Sequence, residues 1–255
     1  MKKLNTLFLI LTLSTGCSQE IVSSKYAESI NSNDLEDLLS VYSSDGFEGR
    51  QTGTKGDRTA ANFLRDFYIS NKIGPALNTI DYFQPYQLNL PGKMYTFNYS
   101  FPSTLRGYDR YAQGDNFVDT QNVASVIEGE IYPESYLIIT GHLDHVGING
   151  DEVYNGADDN GSGTVSILEI AQAFQEAVED GVRPKRSVVF LHVSGEEEGL
   201  LGSEYYVNNS LYPLENTFAT LNLDMIGRTD PNRGYEDEEY VCLLYTSDAA
   251  DDSYR

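Results

Sequence analysis

From residue 122 onward, strand-like stretches alternate with an amphipathic stretch. The strand-like stretches are runs of apolar and β-branched residues, typical of strands buried on both faces of a sheet, and they cover residues 122–128, 135–140, 187–193 and 217–223. Residues 161–179 have a helical period, with Val165, Leu168, Ala171, Phe174 and Val178 facing inward and Glu169, Gln172, Glu176 and Glu179 facing outward. This alternation predicts an α/β fold, three-layer α/β/α with a mostly parallel central mixed sheet.

The pattern is less regular before residue 122. An amphipathic helix is predicted between Lys55 and Asn71, because Ala60, Leu64, Phe67 and Tyr68 follow helical spacing. Residues 78–120 are rich in Tyr, Phe, Asn and Gly without a clear period, which indicates irregular strands and loops.

The N-terminus has the order of an export signal. Residues 1–16 are charged, then apolar, then small, which predicts a signal peptide, and Gly16-Cys17 resembles a bacterial lipobox. Residues 17–40, polar and rich in Ser and Asn, are assigned to a lipid anchor and tether. We expect an exported cell-envelope lipoprotein, periplasmic or on the outer surface. The alternative is an ordinary secreted protein with a chance Cys.

The C-terminus is interpreted as foreign to the domain. From Cys242 the sequence resembles translated sequencing-adapter DNA, so residues 242–255 are expected to be a non-native tail. Residues 41–241 are assigned to the folded domain, whose C-terminal part is expected to be missing. An ordinary acidic tail is the alternative.

The chain is strongly acidic. Its 255 residues include 17 Lys and Arg against 39 Asp and Glu, a formal net charge of −22. Nucleic-acid binding rests on clustered positive charge, which argues against such a partner. The apolar run from Leu7 to Leu13 is too short to span a bilayer, so membrane contact is expected only through the lipid anchor. Nothing in the sequence indicates an oligomeric state.

Imidazole and carboxylate side chains follow the predicted strands directly. The strand-end residues are His142, Asp144, Glu196, Glu197 and Asp224, and Asp159 lies in the loop that opens the helix at 161–179. Function in such folds gathers at the carboxyl ends of the strands, so we expect these side chains at one rim. His with several carboxylates is a donor set that suits zinc or a similar divalent ion.

A calcium loop is an alternative for part of this region. Residues 158–169 fit a relaxed EF-hand loop that ends in Glu169. An EF-hand needs an entering helix, however, and residues 146–157 have no helical period.

Taken together, the motifs resemble those of the secreted co-catalytic zinc aminopeptidases, within the group that includes glutamate carboxypeptidase and the transferrin receptor. The resemblance covers about residues 45–241. It rests on Glu48-Gly-Arg50-x-Thr52-Gly53-Thr54, His142-x-Asp144, the Asp-rich loop from Ala157 to Gly163, Gly195 to Ser203, and Asn222 to Gly227.

The resemblance implies two Zn²⁺ ions. It assigns His142, Asp159 and Asp224 to one zinc, and Asp159 with Glu197 to the other. It makes Glu196 the general base and Asp144 the carboxylate that holds the His142 ring in its tautomer.

One family ligand has no counterpart. In the family the second zinc takes a further His far downstream, and this chain has no His after Asp224. The other two imidazoles, His145 and His192, are assigned to the pocket wall and to a structural position inside a strand. The second position is therefore expected to lack imidazole, and the absent ligand is attributed to the foreign C-terminus.

The resemblance implies an aminopeptidase that hydrolyses N-terminal residues of peptides with a two-zinc activated water. Alternatives in the same group are a carboxypeptidase, for which Arg228 could bind the substrate carboxylate, and a glutaminyl cyclase, although cyclase pockets use Trp and this chain has none. A binding ectodomain without metals is a further alternative, and the retained ligand set argues against it.

Overall fold

The computed structural model describes residues 25–89, the backbone of residues 96–98, and residues 117–228. The predicted signal peptide, Cys17 and the tail from Cys242 lie outside the described residues. Within the described part, no helix has both the length and the apolar character that crossing a membrane requires.

Two of the helices were predicted from the sequence. In the described residues, the α-helices longer than one turn are α1 Ser32–Tyr42, α2 Lys55–Ser70, α3 Gly163–Glu179 and α4 Leu201–Asn208, and a kinked 3-10 segment covers Asp45–Arg50. The helices α2 and α3 confirm the two amphipathic stretches. Asn31 caps α1 by accepting hydrogen bonds from the amides of Asn33 and Asp34, which explains where that helix begins.

The strands form one large sheet and one small hairpin. They are β1 Gly74–Pro75, β2 Phe83–Asn89, β3 Thr96–Asn98, β4 Phe117–Ile127, β5 Tyr132–His142, β6 Gly147–Asn149, β7 Glu152–Tyr154, β8 Arg186–Val193 and β9 Thr217–Asn222. The large sheet has the order β3-β2-β4-β8-β5-β9, with β1 also pairing with β4, and β6 pairs with β7. The four predicted strands correspond to β4, β5, β8 and β9.

The sheet is mixed, but its described part is not mostly parallel as expected. Only β5 makes parallel pairings, with β8 and β9, while β4 pairs antiparallel with β8 and with β2. The physical reason is the short connection from Ile127 to Tyr132, because parallel strands need a crossover of a dozen or more residues. Apolar runs indicate burial on both faces and carry no information on strand direction.

Helices cover both faces of the sheet, which confirms the three layers. Val188 and Phe190 of β8 pack in the hydrophobic cluster that includes residues of α1, α2 and α3. The alternate residues Val189 and Leu191 pack on the other face with Tyr206 of α4. Side chains of a strand alternate between faces, so one strand contributes to both layers of the core.

The domain begins earlier than residue 41. Helix α1 lies largely within the segment assigned to a tether, yet Tyr42 is fully buried and Leu35, Leu38 and Leu39 pack against the same core cluster. The spacing of these apolar residues is that of an amphipathic helix. The tether assignment is therefore wrong from about residue 32, because polar composition masked the helical period.

Helix α1 also changes the environment of Glu169. The sequence places Glu169 on the outer face of α3, whereas the structure buries it to 4% exposure. Burial, together with the nearby carboxylates of Asp34 and Glu176, raises the pKa of Glu169. The hairpin β6–β7 stands where an EF-hand would need its entering helix, so the calcium-loop alternative is wrong.

Candidate metal centre

Three neighbouring strand ends and one loop meet at one rim of the sheet. His142 is the last residue of β5, Glu196 and Glu197 follow β8, and Asp224 follows β9. The three strands are parallel to one another, so their carboxyl ends lie at the same edge. Asp159 reaches this edge from the irregular turn Ala157–Ser162, which precedes α3.

The first group of possible ligands surrounds His142. The Nε2 atom of this buried imidazole lies 3.1 Å from Asp159 Oδ1 and 3.6 Å from Asp224 Oδ1. Ligand atoms of His142, Asp159 and Asp224 all lie within 4.8 Å of one another. Glu196 is slightly farther away, with its Oε2 atom 3.9 Å from His142 Nε2.

The other ring nitrogen of His142 is held by the backbone. His142 Nδ1 donates a hydrogen bond to the carbonyl oxygen of Asp144 at 3.1 Å, whereas the Asp144 carboxylate is 3.7 Å away. A carbonyl oxygen can only accept, so this contact leaves Nε2 of the neutral ring free to bind a metal ion. The tautomer is the one expected, but the nearest partner is the main chain of Asp144.

The carboxylate of Asp144 contacts the next strand end instead. It accepts hydrogen bonds from the amides of Glu196 at 3.2 Å and Glu197 at 3.3 Å, and from the Thr52 hydroxyl at 2.9 Å. Asp144 therefore fixes the turn after β8 relative to the end of β5. Thr52 belongs to the motif at residues 48–54, which the sequence analysis identifies only through its resemblance to the zinc aminopeptidases.

A second group of possible ligands contains an imidazole that the sequence placed in the pocket wall. Ligand atoms of His145, Asp159 and Glu197 lie within 4.8 Å of one another, and His145 Nδ1 is 2.6 Å from Glu197 Oε1. Asp159 belongs to both groups. The signal that could have identified His145 is its position, since it lies three residues after His142 on the same strand end.

The adjacent residues Glu196 and Glu197 have different neighbours. Glu196 lies near His142, and Glu197 contacts His145. Glu197 is therefore a member of the second group, whereas Glu196 lies next to the first group without belonging to it.

Buried polar contacts hold the loops of the site together. The buried Asn160 donates to the carbonyl oxygen of Leu223 at 2.9 Å and accepts from the amide of Met225 at 3.3 Å. These two bonds fix the turn that carries Asp159 beside the segment that carries Asp224. Two loops that are 63 residues apart along the chain thus meet at the site and are held against each other.

The concentration of carboxylates shifts two pKa values. Burial opposes protonation of His142 and is the largest single influence, but the carboxylates of Asp144, Asp224 and Glu196 outweigh it and raise the pKa from 6.5 to about 9. Burial raises the pKa of Glu196, and the charged His142 opposes that change. The site without bound metal thus carries an excess of negative charge and favours cations.

Two further residues considered in the sequence belong to neither group of ligands. His192 is fully buried inside β8, with its Nε2 atom 2.7 Å from the Tyr68 hydroxyl, and burial lowers its pKa to about 3. The structural assignment of His192 is confirmed. Arg228 pairs with Asp158 at 3.0 Å, so its charge is engaged beside the site.

The donor set fits zinc. Each group offers one imidazole nitrogen and two carboxylate oxygens, which is the mixture of ligands that zinc takes in catalytic sites. The shared Asp159 suits two ions held close together, as in hydrolytic two-metal sites.

Comparison with protein-family models is consistent with this chemistry. The model of the family described as Peptidase family M28 matches residues 122–253, just over half of the chain. The match includes every residue of the two groups.

Curated relatives align over shorter segments. A leupeptin-inactivating enzyme 1 from Streptomyces exfoliatus is 42% identical over 105 residues, which are 40% of this chain and 22% of that protein. A probable zinc metalloprotease from Pyricularia oryzae is 31% identical over 127 residues, 49% of this chain and 24% of that protein. The aligned segment is thus about a quarter of the length of these relatives.

Solved structures share the fold at low identity. The LapA aminopeptidase of Legionella pneumophila has a TM-score of 0.52 at 19% identity, over 86% of this chain and 49% of that one. BSAP, a zinc aminopeptidase from Bacillus subtilis, has a TM-score of 0.54 at 15% identity, over 76% of this chain and 69% of that one. These similarities concern the arrangement of helices and strands.

Proposed function

The chain belongs to Peptidase family M28, and on that premise we propose that it is a zinc-dependent aminopeptidase that removes N-terminal residues from peptides. The observation that carries the proposal is the pair of His and carboxylate groups that share Asp159 at the carboxyl ends of β5, β8 and β9.

The two groups name the residues that would hold two ions. His142, Asp159 and Asp224 would hold the first, and Asp159 and Glu197 would hold the second. Bound zinc supplies a Lewis acid that lowers the pKa of a water molecule and polarises a carbonyl group. His142 presents Nε2 to this position because its Nδ1 atom is engaged by the Asp144 carbonyl.

Glu196 fits the role of general base. Its carboxylate lies beside the first group, with its Oε2 atom 3.9 Å from His142 Nε2, yet it belongs to neither group. A carboxylate in this position accepts a proton from the attacking water at one oxygen and returns it to the leaving amine nitrogen. Its backbone is fixed by the hydrogen bond to Asp144, which limits its movement relative to His142.

The charge of the site favours a free amino group on the substrate. Two bound Zn²⁺ ions would offset the charge of the ligands Asp159, Glu197 and Asp224, which leaves the Glu196 carboxylate to attract an ammonium group. A carboxypeptidase needs a cation for the substrate carboxylate, and Arg228 is held by Asp158.

Two fluorogenic dipeptides test the proposal. One has a free α-amine and the other is N-acetylated, and both are incubated with the chain before and after complete chelation and readdition of zinc. We expect the fluorophore to be released only from the free-amine substrate. Its release should stop when the metal is chelated and resume when zinc is added back. Equal rates after metal removal, or preference for the acetylated substrate, would show that the proposal is wrong.

The expected export is part of the same proposal. A lipid on Cys17 would place the peptidase at the cell envelope, where peptides from outside the cytoplasm are its substrates. Membrane fractionation of a host that expresses the native chain and Cys17→Ala tests this location. The native chain is expected in the membrane fraction and the variant in the soluble fraction, and equal distributions would contradict it.

A further inference from the structure

We propose that His145 is a ligand of the second metal position, so that the chain itself supplies an imidazole to each of the two positions. The inference rests on the proposed zinc-dependent function and adds a ligand to it. The position would then be formed by His145, Asp159 and Glu197.

The two groups have the same composition around a common residue. His142 and Asp224 complete one group with Asp159, and His145 and Glu197 complete the other. Each group has one imidazole and two carboxylates. Catalytic zinc sites commonly have three protein ligands with an open position for water, so both groups reach the number that such a site requires.

The contact between His145 and Glu197 is compatible with a shared ion. The Nδ1 and Oε1 atoms are 2.6 Å apart, so a small movement of either side chain would bring both into the first coordination shell. Zinc binds nitrogen and oxygen ligands at about 2.0–2.2 Å. The ring is 14% exposed, so it reaches solvent through the site and is not enclosed in the core like His192.

The backbone holds His145 in this position. The His145 amide donates to the carbonyl oxygen of the buried Arg50 at 3.2 Å, and Arg50 Nη2 donates to the carbonyl oxygen of Gly156 at 2.8 Å. Gly156 packs directly on the His145 ring, since a Cβ atom at this residue would lie 2.5 Å from the ring carbons. A residue whose main chain is anchored and whose ring packs on Gly156 loses little freedom when it binds an ion.

A structural ion pair is the competing explanation. In that case His145 neutralises Glu197 and takes no part in metal binding. The two explanations differ in one measurable quantity, the zinc content of the chain when the imidazole is removed.

Zinc content and zinc affinity decide between them. The 255-residue chain and its variants are dialysed against buffered zinc chloride, bound zinc is measured by mass spectrometry, and affinities are measured by competition with a chelator. The variants are His145→Gln, Glu197→Gln and, as a matched control on the same turn, Glu198→Gln, which lies in neither group. Circular dichroism verifies that each variant is folded, and His145→Asn is a second replacement in case Gln prevents folding.

We expect two zinc ions per native chain and per Glu198→Gln chain. His145→Gln and Glu197→Gln should each retain one tightly bound ion, while the second binds at least about tenfold more weakly, since even outer contacts of metal ligands contribute 10–100-fold to affinity. If folded His145→Gln chains hold two ions with native affinity, the inference is wrong and the proposed function stands. A native chain that binds only one ion also overturns the inference, and a native chain that binds no zinc overturns both.

Discussion

Replacing Arg50 by Lys should destabilise both the fold and the metal centre. Arg50 is fully buried and donates four hydrogen bonds to main-chain carbonyl oxygens: Leu143 at 3.0 Å, Tyr42 at 3.2 Å, Asn155 at 2.7 Å and Gly156 at 2.8 Å. The four acceptors belong to three separate segments. A single guanidinium thus joins α1, the end of β5 and the loop before Asp159.

The cost of Arg50→Lys can be worked out from these bonds. The Lys ammonium keeps the charge but has its donors on one nitrogen, so it cannot span three segments as the planar guanidinium does. Losing at least two of the four bonds, at about 1.5–3 kcal/mol each for a charged donor, lowers the free energy of unfolding by about 3–6 kcal/mol. For a chain of this size the melting temperature should fall by about 6–24 °C.

Thermal unfolding followed by circular dichroism measures the effect, with Arg65→Lys as the matched control. Arg65 pairs with Asp66 and Asp81 at the surface, where such pairs contribute about 0–1 kcal/mol. Zinc affinity should also fall in Arg50→Lys, because the bonds to Leu143 and Gly156 hold both metal-binding loops. A melting temperature and zinc affinity within the range of Arg65→Lys would refute this reasoning.

Three further predictions concern catalysis, pH and the sheet edge. Glu196→Gln should keep its zinc and lose turnover by about 10²–10⁴-fold, whereas Asp159→Asn should lose zinc at both positions. Measuring the zinc content and the turnover rate of each variant tests both expectations. A Glu196→Gln chain without zinc would contradict the assignment of Glu196 as the base. Burial raises the pKa of Asp57 from 3.8 to about 7, so its contribution to stability is present below about pH 4 and is lost as the pH rises through 7. The free energy of unfolding, measured by urea denaturation, should change less with pH in Asp57→Asn than in the native chain. An equal pH dependence in the two chains would disprove this. Phe218, 65% exposed on β9 at the edge of the described sheet, should promote aggregation, so Phe218→Lys should lower light scattering more than Val207→Lys on α4.

The location of the candidate site was predictable from local sequence order. His142, Glu196 and Asp224 each stand at or just after a strand that an apolar run predicts. The carboxyl ends of parallel neighbours meet at one edge, so position along the chain was enough to bring these residues together. No long-range information was needed for this step.

Strand direction and burial required more than local pattern. The direction of β4 relative to β5 follows from the short connection between Ile127 and Tyr132, which is too short for a parallel crossover. The burial of Glu169 had no such signal, because it depends on α1 packing from a distant part of the chain. The contacts of Arg50 with Leu143 and of His145 with Glu197 likewise join residues 93 and 52 positions apart, and periodicity within one segment cannot reveal them.

The contacts of Asp144 explain how the centre can be both crowded with charge and well ordered. Its carbonyl oxygen orients the His142 ring, and its carboxylate receives the amides of Glu196 and Glu197. One residue therefore sets the orientation of a metal ligand and the positions of the base and a second ligand. Asp144 is fully buried behind these residues, so substrate reaches them first. Asp144 therefore acts as a positioning residue of the candidate site, because its contacts set the two strand ends relative to each other.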